Sequence, residues 1–291
     1  MTRTLSAPVD EAATSPSPPT VELNDGTTLP QVGYGVFMIS ADDVREPLAA
    51  ALDTGYRLID TAAAYGNEEG VGRAIAETDV PRYELVVTTK LWNDAHGYDE
   101  TLRAFDASAR RLGLDTVDLY LIHFPRPALG RYVDSWRAMV RLRDEGRIGS
   151  LGVSNFGVAE LDRLHDETGV VPAVNQVELH PMFQQEELRA AHAERGIVTQ
   201  AWSPLGRNQG LLQHPDVTAL AARLGRTPGQ VVLRWHLQLG VVVIPKSERP
   251  ERIRENFDLA GFAIDDEGMA TLSALGEQRC NPVPGTLFDI S

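Results

Sequence analysis

The sequence contains one cysteine, Cys280, in 291 residues. A single thiol excludes an intrachain disulfide and any metal site built from several cysteines, and it suits a reducing compartment. The sequence also lacks an apolar run close to the roughly 18 residues that a membrane span requires. Its first residues, MTRTLSAPVDEAATSPSPPT, have no apolar segment of the kind found in secretory signals. We therefore expect a cytoplasmic protein with a disordered N-terminal tail over residues 1–20.

Positive charge is scarce, since 27 Lys and Arg residues face 41 Asp and Glu residues and the formal net charge is −14. A surface of this sign repels nucleic acid and anionic membranes, so neither is expected as a partner. One segment departs from this balance: PKSERPERIR, residues 245–254, contains Lys246, Arg249, Arg252 and Arg254. If the protein binds an anionic ligand, this basic segment is the candidate for the contact.

The G-x-G-x-x-G motif of open dinucleotide-binding sheets is also missing, because GYGVFM fails at the third glycine. Instead, short β-rich runs alternate regularly with amphipathic stretches of about ten to fifteen residues. Eight runs predict strands: GYGVF, YRLIDTA, ELVVTTK, VDLYLIH, IGSLGVS, AVNQVEL, IVTQAWS and VVVIPKS. An open doubly wound sheet and a closed (β/α)8 barrel both satisfy this alternation. Eight repeats over about 270 residues favour the TIM barrel.

Turn and capping residues give the first element boundaries. The segment NDG, residues 24–26, predicts a β-hairpin with a tight primed turn. This hairpin would close the N-terminal mouth of the barrel. Ser40 and Asp43 resemble a capping box ahead of a helix that is predicted to end at Gly55. No boundary for a second domain is visible, so residues 21–291 are predicted to form a single barrel domain.

Polar side chains follow the predicted strands at their carboxyl ends, where a parallel barrel builds its site. Asp60 ends the second strand, and Tyr65 lies in the loop after it. Lys90 ends the third strand, and His123 ends the fourth. Later strand ends carry Ser154-Asn155, Asn175-Gln176, Trp202-Ser203 and Lys246-Ser247. Each side chain alone has an ordinary interpretation as a solvated terminus or a packed ring, but their coincidence on one face indicates a site.

The charges of the first four residues suggest proton transfer. A buried Asp60 would need Lys90 as its partner, and the Lys90 ammonium would lower the pKa of Tyr65 from about 10. Tyr65 could then act as a general acid, with His123 orienting the substrate oxygen. The sequence has no G-x-S-x-G or H-E-x-x-H motif, and no metal site is expected. A site that protonates an oxygen without a nucleophile favours hydride from a nicotinamide cofactor.

The motifs at these positions resemble those of the aldo-keto reductase superfamily. Seven segments follow the family's order: DTAAAYGNEEGVGRAI, TTKLWND, VDLYLIHFP, LGVSNF, NQVELHP, AWSPLG and IPKSERPERIRENF. The resemblance runs from residue 21 to the end and is greatest to the bacterial branch that includes the 2,5-diketo-D-gluconate reductases. It implies an NADPH-dependent reductase of aldehydes and ketones that acts as a monomer, with Tyr65 as the proton donor.

The resemblance also implies a role for each motif residue. The catalytic residues would be Asp60, Tyr65, Lys90 and His123. The nicotinamide would be held by Ser154, Asn155 and Gln176 at its carboxamide and by Trp202 at its ring. The phosphates would be held by Ser203 and Leu205 at the pyrophosphate and by Lys246, Ser247 and Arg252 at the adenosine 2′-phosphate. The adenine would contact Glu255 and Asn256.

Two positions depart from the usual family pattern: Phe124 stands where most relatives have Trp, and Trp202 stands where many have Tyr or Phe. His123 indicates carbonyl reduction, because relatives that reduce a carbon–carbon double bond have Glu at that position. The substrate pocket would be lined by Phe37, Trp92, His123 and Phe124, although Phe37 and Trp92 could instead be packing residues. The C-terminal segment GEQRCNPVPGTLFDIS, residues 276–291, would add a further wall.

Two other functions remain open on the same fold. One is a cofactor-binding regulatory or structural protein, like the channel-associated subunits and lens proteins of this superfamily. A complete set of catalytic residues argues against that function. The other is a lyase or aldolase that uses Lys90 as a Schiff base, which a neighbouring Asp60 would disfavour by keeping the lysine protonated.

Overall fold

A computed structural model of the chain describes residues 19–276 and 278–279. Most of the tail predicted over residues 1–20 lies outside this range, as do Cys280 and most of the segment 276–291 that was expected to wall the pocket. The first strand begins at Thr20. Within the described residues, no helix combines the length and apolar character needed to cross a membrane.

Eight parallel strands form one sheet in which each strand lies beside its neighbour in sequence. They are β3 (Gly33–Gly35), β4 (Leu58–Asp60), β5 (Val86–Leu91), β6 (Val117–Ile122), β7 (Ile148–Ser154), β8 (Val174–Glu178), β9 (Val198–Trp202) and β10 (Val242–Val243). A parallel bridge between Val32 and Val243 joins the last strand to the first. The Val243 amide donates to the Gln31 carbonyl at 2.9 Å across this seam. The sheet is therefore a barrel, as the eight β-rich runs predicted.

Helices connect the strands and return the chain to the same end of the barrel. Those in the described residues are α1 (Arg45–Thr54), α2 (Glu68–Glu77), α3 (Tyr98–Leu112), α4 (Tyr132–Asp144), α5 (Val158–Thr168), α6 (Glu186–Glu194), α7 (Pro215–Leu224), α8 (Pro228–Gln238), α9 (Pro250–Phe257) and α10 (Asp266–Ser273). The predicted stop at Gly55 is confirmed, since Gly55 adopts φ 117° after α1. The capping box was wrong: Ser40 and Asp43 bond to each other in a turn that precedes the helix, and Val44 occupies the N-cap.

An antiparallel hairpin of β1 (Thr20–Glu22) and β2 (Thr28–Pro30) closes the amino-terminal end of the barrel. Its Leu23 and Leu29 join a buried cluster with residues of β4, β6, β8 and β10, strands that are not neighbours and can meet only inside the barrel. The Asn24 side chain also donates to the Pro172 carbonyl at 3.0 Å. The predicted position of the hairpin is thus confirmed.

The hairpin turn differs from the tight primed turn that the sequence suggested. The Gly26 amide donates to the Leu23 carbonyl at 3.0 Å, and the Leu23 amide donates to the Thr27 carbonyl at 2.8 Å. Gly26 alone in this turn has positive φ. These bonds define a three-residue loop with a left-handed glycine, which is the next most common hairpin connection. The Asp25 carboxylate accepts bonds from the Thr27 amide and hydroxyl, which stabilises the longer loop.

Replacing Leu29 with Ala tests whether the hairpin belongs to the core. Leu29 is 1% exposed, so its truncation leaves a cavity at the end of the barrel. We expect the free energy of unfolding to fall by about 2–4 kcal/mol. Urea unfolding followed by circular dichroism measures the change. Thr28→Ala is the matched control, because Thr28 lies beside Leu29 with its side chain exposed. Equal effects of the two substitutions would contradict this packing.

Candidate active site

One cavity of about 960 Å³ opens at the carboxyl ends of the barrel strands. Every residue for which the resemblance implied a catalytic, cofactor or substrate role lines this cavity, with the exception of Lys90. Lys90 has no exposed surface and lies behind the cavity wall on β5. Of the other strand-end polar residues named from the sequence, Asn175 does not line the cavity.

Lys90 is the centre of a buried charge cluster. Its Nζ lies 2.6 Å from Asp60 Oδ1 and donates to the Thr61 carbonyl at 2.9 Å. The other carboxylate oxygen, Asp60 Oδ2, accepts from Gln176 Nε2 at 2.7 Å. A buried ion pair is tolerated only when its remaining hydrogen-bonding groups are satisfied, and these contacts meet that condition. The charge of Asp60 raises the pKa of Lys90 despite the opposing effect of burial, so the lysine stays protonated.

The phenol of Tyr65 is held beside this ammonium group. Lys90 Nζ donates to Tyr65 Oη at 3.3 Å and lies 5.0 Å from the ring centroid. Tyr65 ends a short 3₁₀ turn, Ala63–Tyr65, in which the Tyr65 amide bonds to the Ala62 carbonyl at 3.0 Å. Ala62 is fully buried against the barrel. The small residues thus let the chain turn close to the strand end and bring the phenol back over it.

Asn67 fixes this turn, a role that the sequence analysis missed. Its amide nitrogen donates to the carbonyls of Val36 and Ile39, both at 2.9 Å. Its carbonyl oxygen accepts from the Thr61 hydroxyl at 2.7 Å. Asn67 is completely buried and ties the loop after β3 to the loop after β4. A polar residue between a loop and an amphipathic helix was the only sequence signal, and it is shared by most helix starts.

The predicted lowering of the Tyr65 pKa is wrong for the protein without a ligand. Lys90 does act to lower the pKa of Tyr65, but burial of the phenol acts more strongly in the opposite direction and Asp60 adds to it. The net result is a Tyr65 pKa above the ordinary value. The sequence predicted the charge correctly but could not give the depth of burial, and desolvation disfavours the phenolate. The resting site therefore holds a neutral phenol beside an ammonium group.

His123 follows β6 and forms part of an aromatic wall around Tyr65. Its ring stacks on Phe124 with centroids 5.1 Å apart and an interplanar angle of 13°. Trp92 meets the His123 ring edge at 5.1 Å, and Tyr65 meets it at 5.8 Å. Burial and the charge of Lys90 hold the pKa of His123 well below its ordinary value. His123 is consequently neutral at physiological pH, with one ring nitrogen as a donor and the other as an acceptor.

Phe37 completes this wall from the loop after β3. Its ring centroid lies 4.9 Å from that of Tyr65, and its side chain is 37% exposed at the mouth of the cavity. Phe37 and Trp92 both line the cavity and both pack against neighbouring rings. The two interpretations left open by the sequence are thus compatible. An aromatic enclosure of this kind keeps water away from the phenol.

A set of amide side chains continues the cavity from β7 to β9. Asn155, with φ 63°, donates from Nδ2 to the His123 carbonyl at 3.0 Å and accepts from Trp202 Nε1 at 3.0 Å. Ser154 donates to the Gln176 carbonyl at 2.8 Å. Gln176 Nε2 donates to Gln200 Oε1 at 2.9 Å as well as to the carboxylate described above. Both amide hydrogens of Gln176 are therefore engaged, so only its carbonyl oxygen can serve a ligand.

Asn175, which precedes Gln176 on β8, faces the helical layer instead of the cavity. Its Nδ2 bonds to the Phe156 carbonyl and to His192 Nε2, both at 2.9 Å. Because the amide nitrogen is a donor, His192 Nε2 must accept, so Nδ1 carries the ring proton and donates to the Thr199 hydroxyl at 2.8 Å. The network holds the chain next to Asn155 and fits only the neutral form of His192.

A strap after β9 crosses the middle of the cavity. It contains the turns Gly206–Asn208 and Leu211–Gln213, and Ser203 enters it with φ 51°. The guanidinium carbon of Arg207 lies 5.8 Å from the Phe37 ring centroid on the opposite side of the opening. Backbone strain of this kind at a cavity is typical of segments that hold a ligand. The strap thus bridges the loops after β3 and β9.

The far end of the cavity is basic. Lys246, Arg249 and Arg252 line it, beside the amino-terminal end of α9. The Ser247 carbonyl accepts from the Tyr34 hydroxyl at 2.6 Å, and Ser247 Oγ accepts from the Arg249 amide at 3.1 Å. Cations beside a helix amino terminus form a site suited to an anion. We call Lys246, Ser247, Arg249 and Arg252 the anion seat.

Two cations of the anion seat are paired with carboxylates. Lys246 is paired with Glu248, and Arg252 is paired with Glu255 at 2.5 Å. Glu255 also accepts from the Thr227 hydroxyl at 2.7 Å. The sequence showed the acids beside the bases but did not show that they would pair. Elsewhere in the described residues, no group of three or more His, Cys, Asp or Glu side chains could hold a metal ion.

The cavity offers different binding groups along its length. One end offers the neutral phenol within an aromatic wall, and the other end offers the anion seat. Between them lie the Trp202 indole, which is held by Asn155, and the Gln176 carbonyl oxygen. An aromatic face, an amide acceptor and a cationic end are the groups that a ring carboxamide and a distal phosphate require.

The fold and the site together define the chain as a (β/α)8-barrel protein with a phenol–ammonium–carboxylate site at the carboxyl ends of its strands. It belongs to the aldo/keto reductase family, whose family model matches residues 31–277. The match covers most of the barrel described above. The resemblance stated from the seven sequence segments is confirmed.

Relatives cover nearly the whole chain. An aldo-keto reductase of Mycolicibacterium smegmatis is 53% identical over 269 residues, which span 92% of this chain and 98% of the relative. Methylglyoxal reductase DkgA of Escherichia coli is 47% identical over 270 residues, with 92% and 98% covered. The bacterial branch expected from the sequence is thus represented among the relatives.

Solved structures share the fold. The aldo/keto reductase from Brucella melitensis matches with a TM-score of 0.86 and 50% identity, covering 88% of this chain and 99% of that chain. A mutant of Gox0644 in complex with NADPH matches with a TM-score of 0.89 and 45% identity, covering 93% and 99%. The barrel described above is therefore the barrel of this family.

The His192 network predicts a loss of stability at low pH. Burial lowers the pKa of His192 to about 4 from an unfolded value of 6.5. Over this pH range His192 is protonated in the unfolded chain but not in the folded chain. The free energy of unfolding therefore falls as the pH drops from about 6.5 to about 4. Between pH 7 and pH 4.5 this residue should cost about 2 kcal/mol of the unfolding free energy.

Urea unfolding of His192→Gln at the two pH values measures this contribution. We expect the variant to lose less stability than the wild type on acidification, because its side chain does not titrate. His165→Gln is the matched control, since His165 is exposed on α5. A pH dependence in His192→Gln as steep as that of the control would rule out the buried neutral imidazole.

Proposed function

We propose that the protein is an NADPH-dependent reductase of aldehydes and ketones. The observation that carries this proposal is the 3.3 Å contact between Tyr65 Oη and Lys90 Nζ, with the ammonium held by Asp60 at 2.6 Å. A phenol with an ammonium group behind it and an open cavity before it is equipped to donate a proton to a substrate oxygen. An acid alone cannot reduce a carbonyl, because reduction also requires a hydride donor. The anion seat of the same cavity supports such a donor, since it suits the phosphates of a dinucleotide.

Tyr65 acts as the acid in this proposal. The raised pKa of Tyr65 keeps the phenol protonated until a carbonyl oxygen begins to take on negative charge. As the proton moves from Tyr65 Oη to that oxygen, the Lys90 ammonium stabilises the phenolate that remains. His123, neutral and at the edge of the Tyr65 ring, orients the substrate oxygen through its donor nitrogen. When bound, the reduced nicotinamide supplies hydride for the carbonyl carbon.

The remaining site residues would hold the cofactor. Gln176, through its carbonyl oxygen, would hold the nicotinamide carboxamide together with Ser154 and Asn155. Trp202, whose indole is fixed by the 3.0 Å bond to Asn155, would hold the nicotinamide ring. The phosphates and the adenine would be held by Ser203 and Leu205 on the strap, by Lys246, Ser247 and Arg252 in the anion seat, and by Glu255 and Asn256. The anion seat favours NADPH over NADH because the additional 2′-phosphate needs those cations.

The substrate lies against Phe37, Trp92, His123 and Phe124, which enclose the Tyr65 ring. This enclosure suits a small carbonyl compound, and the relationship to a methylglyoxal reductase supports that size class. The NADPH complex of a structural relative likewise supports the cofactor. We further propose that the enzyme works in the cytoplasm as a monomer, which light scattering of the purified protein would test.

A Schiff-base mechanism at Lys90 has less support. The lysine is fully buried, and its pKa is raised by the charge of Asp60. A nucleophilic amine must be neutral and accessible to the carbonyl carbon. Lys90 meets neither condition, whereas its contacts with Asp60, the Thr61 carbonyl and Tyr65 suit a permanent cation.

Replacing Tyr65 with Phe tests the proposed acid. The variant keeps the ring that packs against Phe37 but loses the proton, so kcat for reduction should fall by about 10² to 10⁴. Oxidation of NADPH by methylglyoxal and other small aldehydes, followed by absorbance, measures the rate. Binding of NADPH, followed by tryptophan fluorescence, should be almost unchanged.

Tyr83→Phe is the control for that experiment, because Tyr83 is 87% exposed and remote from the cavity. It should keep the wild-type rate. Near-normal turnover in Tyr65→Phe would refute the assignment of the acid. A wild-type protein that binds NADPH and turns over no carbonyl in the panel would instead favour the regulatory function on the same fold.

A further inference from the structure

A carboxylate that no proposed contact uses is paired with a cation of the anion seat. Glu248 lies between Ser247 and Arg249, and its side chain is ion-paired with Lys246 Nζ. Lys246 lines the cavity, and its side chain is 33% exposed, while that of Glu248 is 52% exposed. The first cation of the seat is therefore paired with an anion from the same loop.

The carboxylates around the seat are not equivalent. Glu255 is 19% exposed and is held from two sides, by Arg252 at 2.5 Å and by the Thr227 hydroxyl at 2.7 Å. It is a fixed part of the wall. Glu251 lies on the first turn of α9, is 65% exposed, and approaches Arg249 only to 3.8 Å. Of the three, only Glu248 is both largely exposed and in close contact with a cation of the seat, since the Glu251 pair with Arg249 is looser.

We propose that Glu248 is a specificity-determining residue that weakens the preference for NADPH over NADH. Its carboxylate competes with the adenosine 2′-phosphate for Lys246. This inference rests on the proposed function, because it concerns how the same site chooses between two nicotinamide cofactors. It predicts a reductase that accepts NADH more readily than the number of cations in the seat suggests.

The two cofactors meet Glu248 with opposite consequences. A 2′-phosphate carries up to two negative charges, so it must displace Glu248 from Lys246 or share the ammonium with it, and in both cases the two anions repel. A ribose 2′-hydroxyl has a proton to donate, and a carboxylate beside it is a good acceptor. Glu248 therefore disfavours the phosphate and tolerates the hydroxyl.

Titration calorimetry of the full chain with NADP⁺ and with NAD⁺ tests this inference. In Glu248→Gln the affinity for NADP⁺ should rise by about two- to fivefold, the range typical of one relieved charge contact in a partly exposed site. The affinity for NAD⁺ should stay the same or fall. The ratio of the two dissociation constants is thus the quantity that changes.

Glu251→Gln is the matched control, because it removes the same charge from the same segment, leaves Lys246 untouched and loosens only the longer, more exposed pair with Arg249. Its ratio of dissociation constants should stay closer to that of the wild type than the ratio in Glu248→Gln. The gain in Glu248→Gln should also shrink in about 1 M salt, where the screening length falls to about 3 Å. A gain that persists unchanged in salt would mean that shape, not charge, is the cause, and would overturn the proposal.

Two failures can be told apart. If the wild type binds NADP⁺ and the ratio in Glu248→Gln is unchanged, or if Glu251→Gln shifts it equally, the role of Glu248 is refuted and the proposed function stands. If the wild type binds neither dinucleotide, the proposed function itself is refuted, and this inference with it. A thermal melt of each variant confirms folding, which substitution of an exposed side chain should preserve.

Discussion

The buried ion pair between Lys90 and Asp60 is the interaction on which the site depends. Placing both charges out of water is costly, and the structure meets that cost by satisfying each group: Thr61 and Tyr65 accept from the ammonium, and Gln176 donates to the carboxylate. Parallel pairing of β4 with β5 places the two side chains on neighbouring strands at one end of the barrel. The pKa of Lys90 is raised by the charge of Asp60 against the effect of burial, so the phenol above it faces a positive charge.

The second constraint is electrostatic and acts over the length of the cavity. A chain with net charge −14 repels a phosphorylated ligand at long range. Its cations in the anion seat are further balanced by Glu248 and Glu255. Binding of an anion therefore exchanges one ion pair for another. Such a site distinguishes between ligands by how well each anion replaces the carboxylates, and less by its overall attraction for negative charge.

Much of the fold and the membership of the site could be predicted from the sequence. Eight β-rich runs gave the strands because parallel strands of a barrel are buried on both faces and are bounded by turns. Asp60, Lys90 and His123 could be placed because strand ends share one face. The direction of the Tyr65 pKa shift could not be predicted from the sequence. Burial and the Lys90 charge act in opposite directions on that pKa, and only the three-dimensional structure shows which effect is larger. The roles of Asn67 and Glu248 were also missed, because both depend on partners that single residue types do not specify.

The most direct test of the central claim is a titration of the Tyr65 phenol itself. Ring-labelled tyrosine in the full chain, observed by ¹³C NMR and assigned by loss of the signal in a Tyr65 variant, reports the pH at which the phenol ionises. Asp60→Asn combined with Lys90→Met removes both charges together and leaves no buried charge unpaired. We expect Tyr65 to ionise at a higher pH in this double variant than in the wild type, because the ammonium lowers the pKa of Tyr65 more than Asp60 raises it. Ionisation at the same or a lower pH would contradict this expectation.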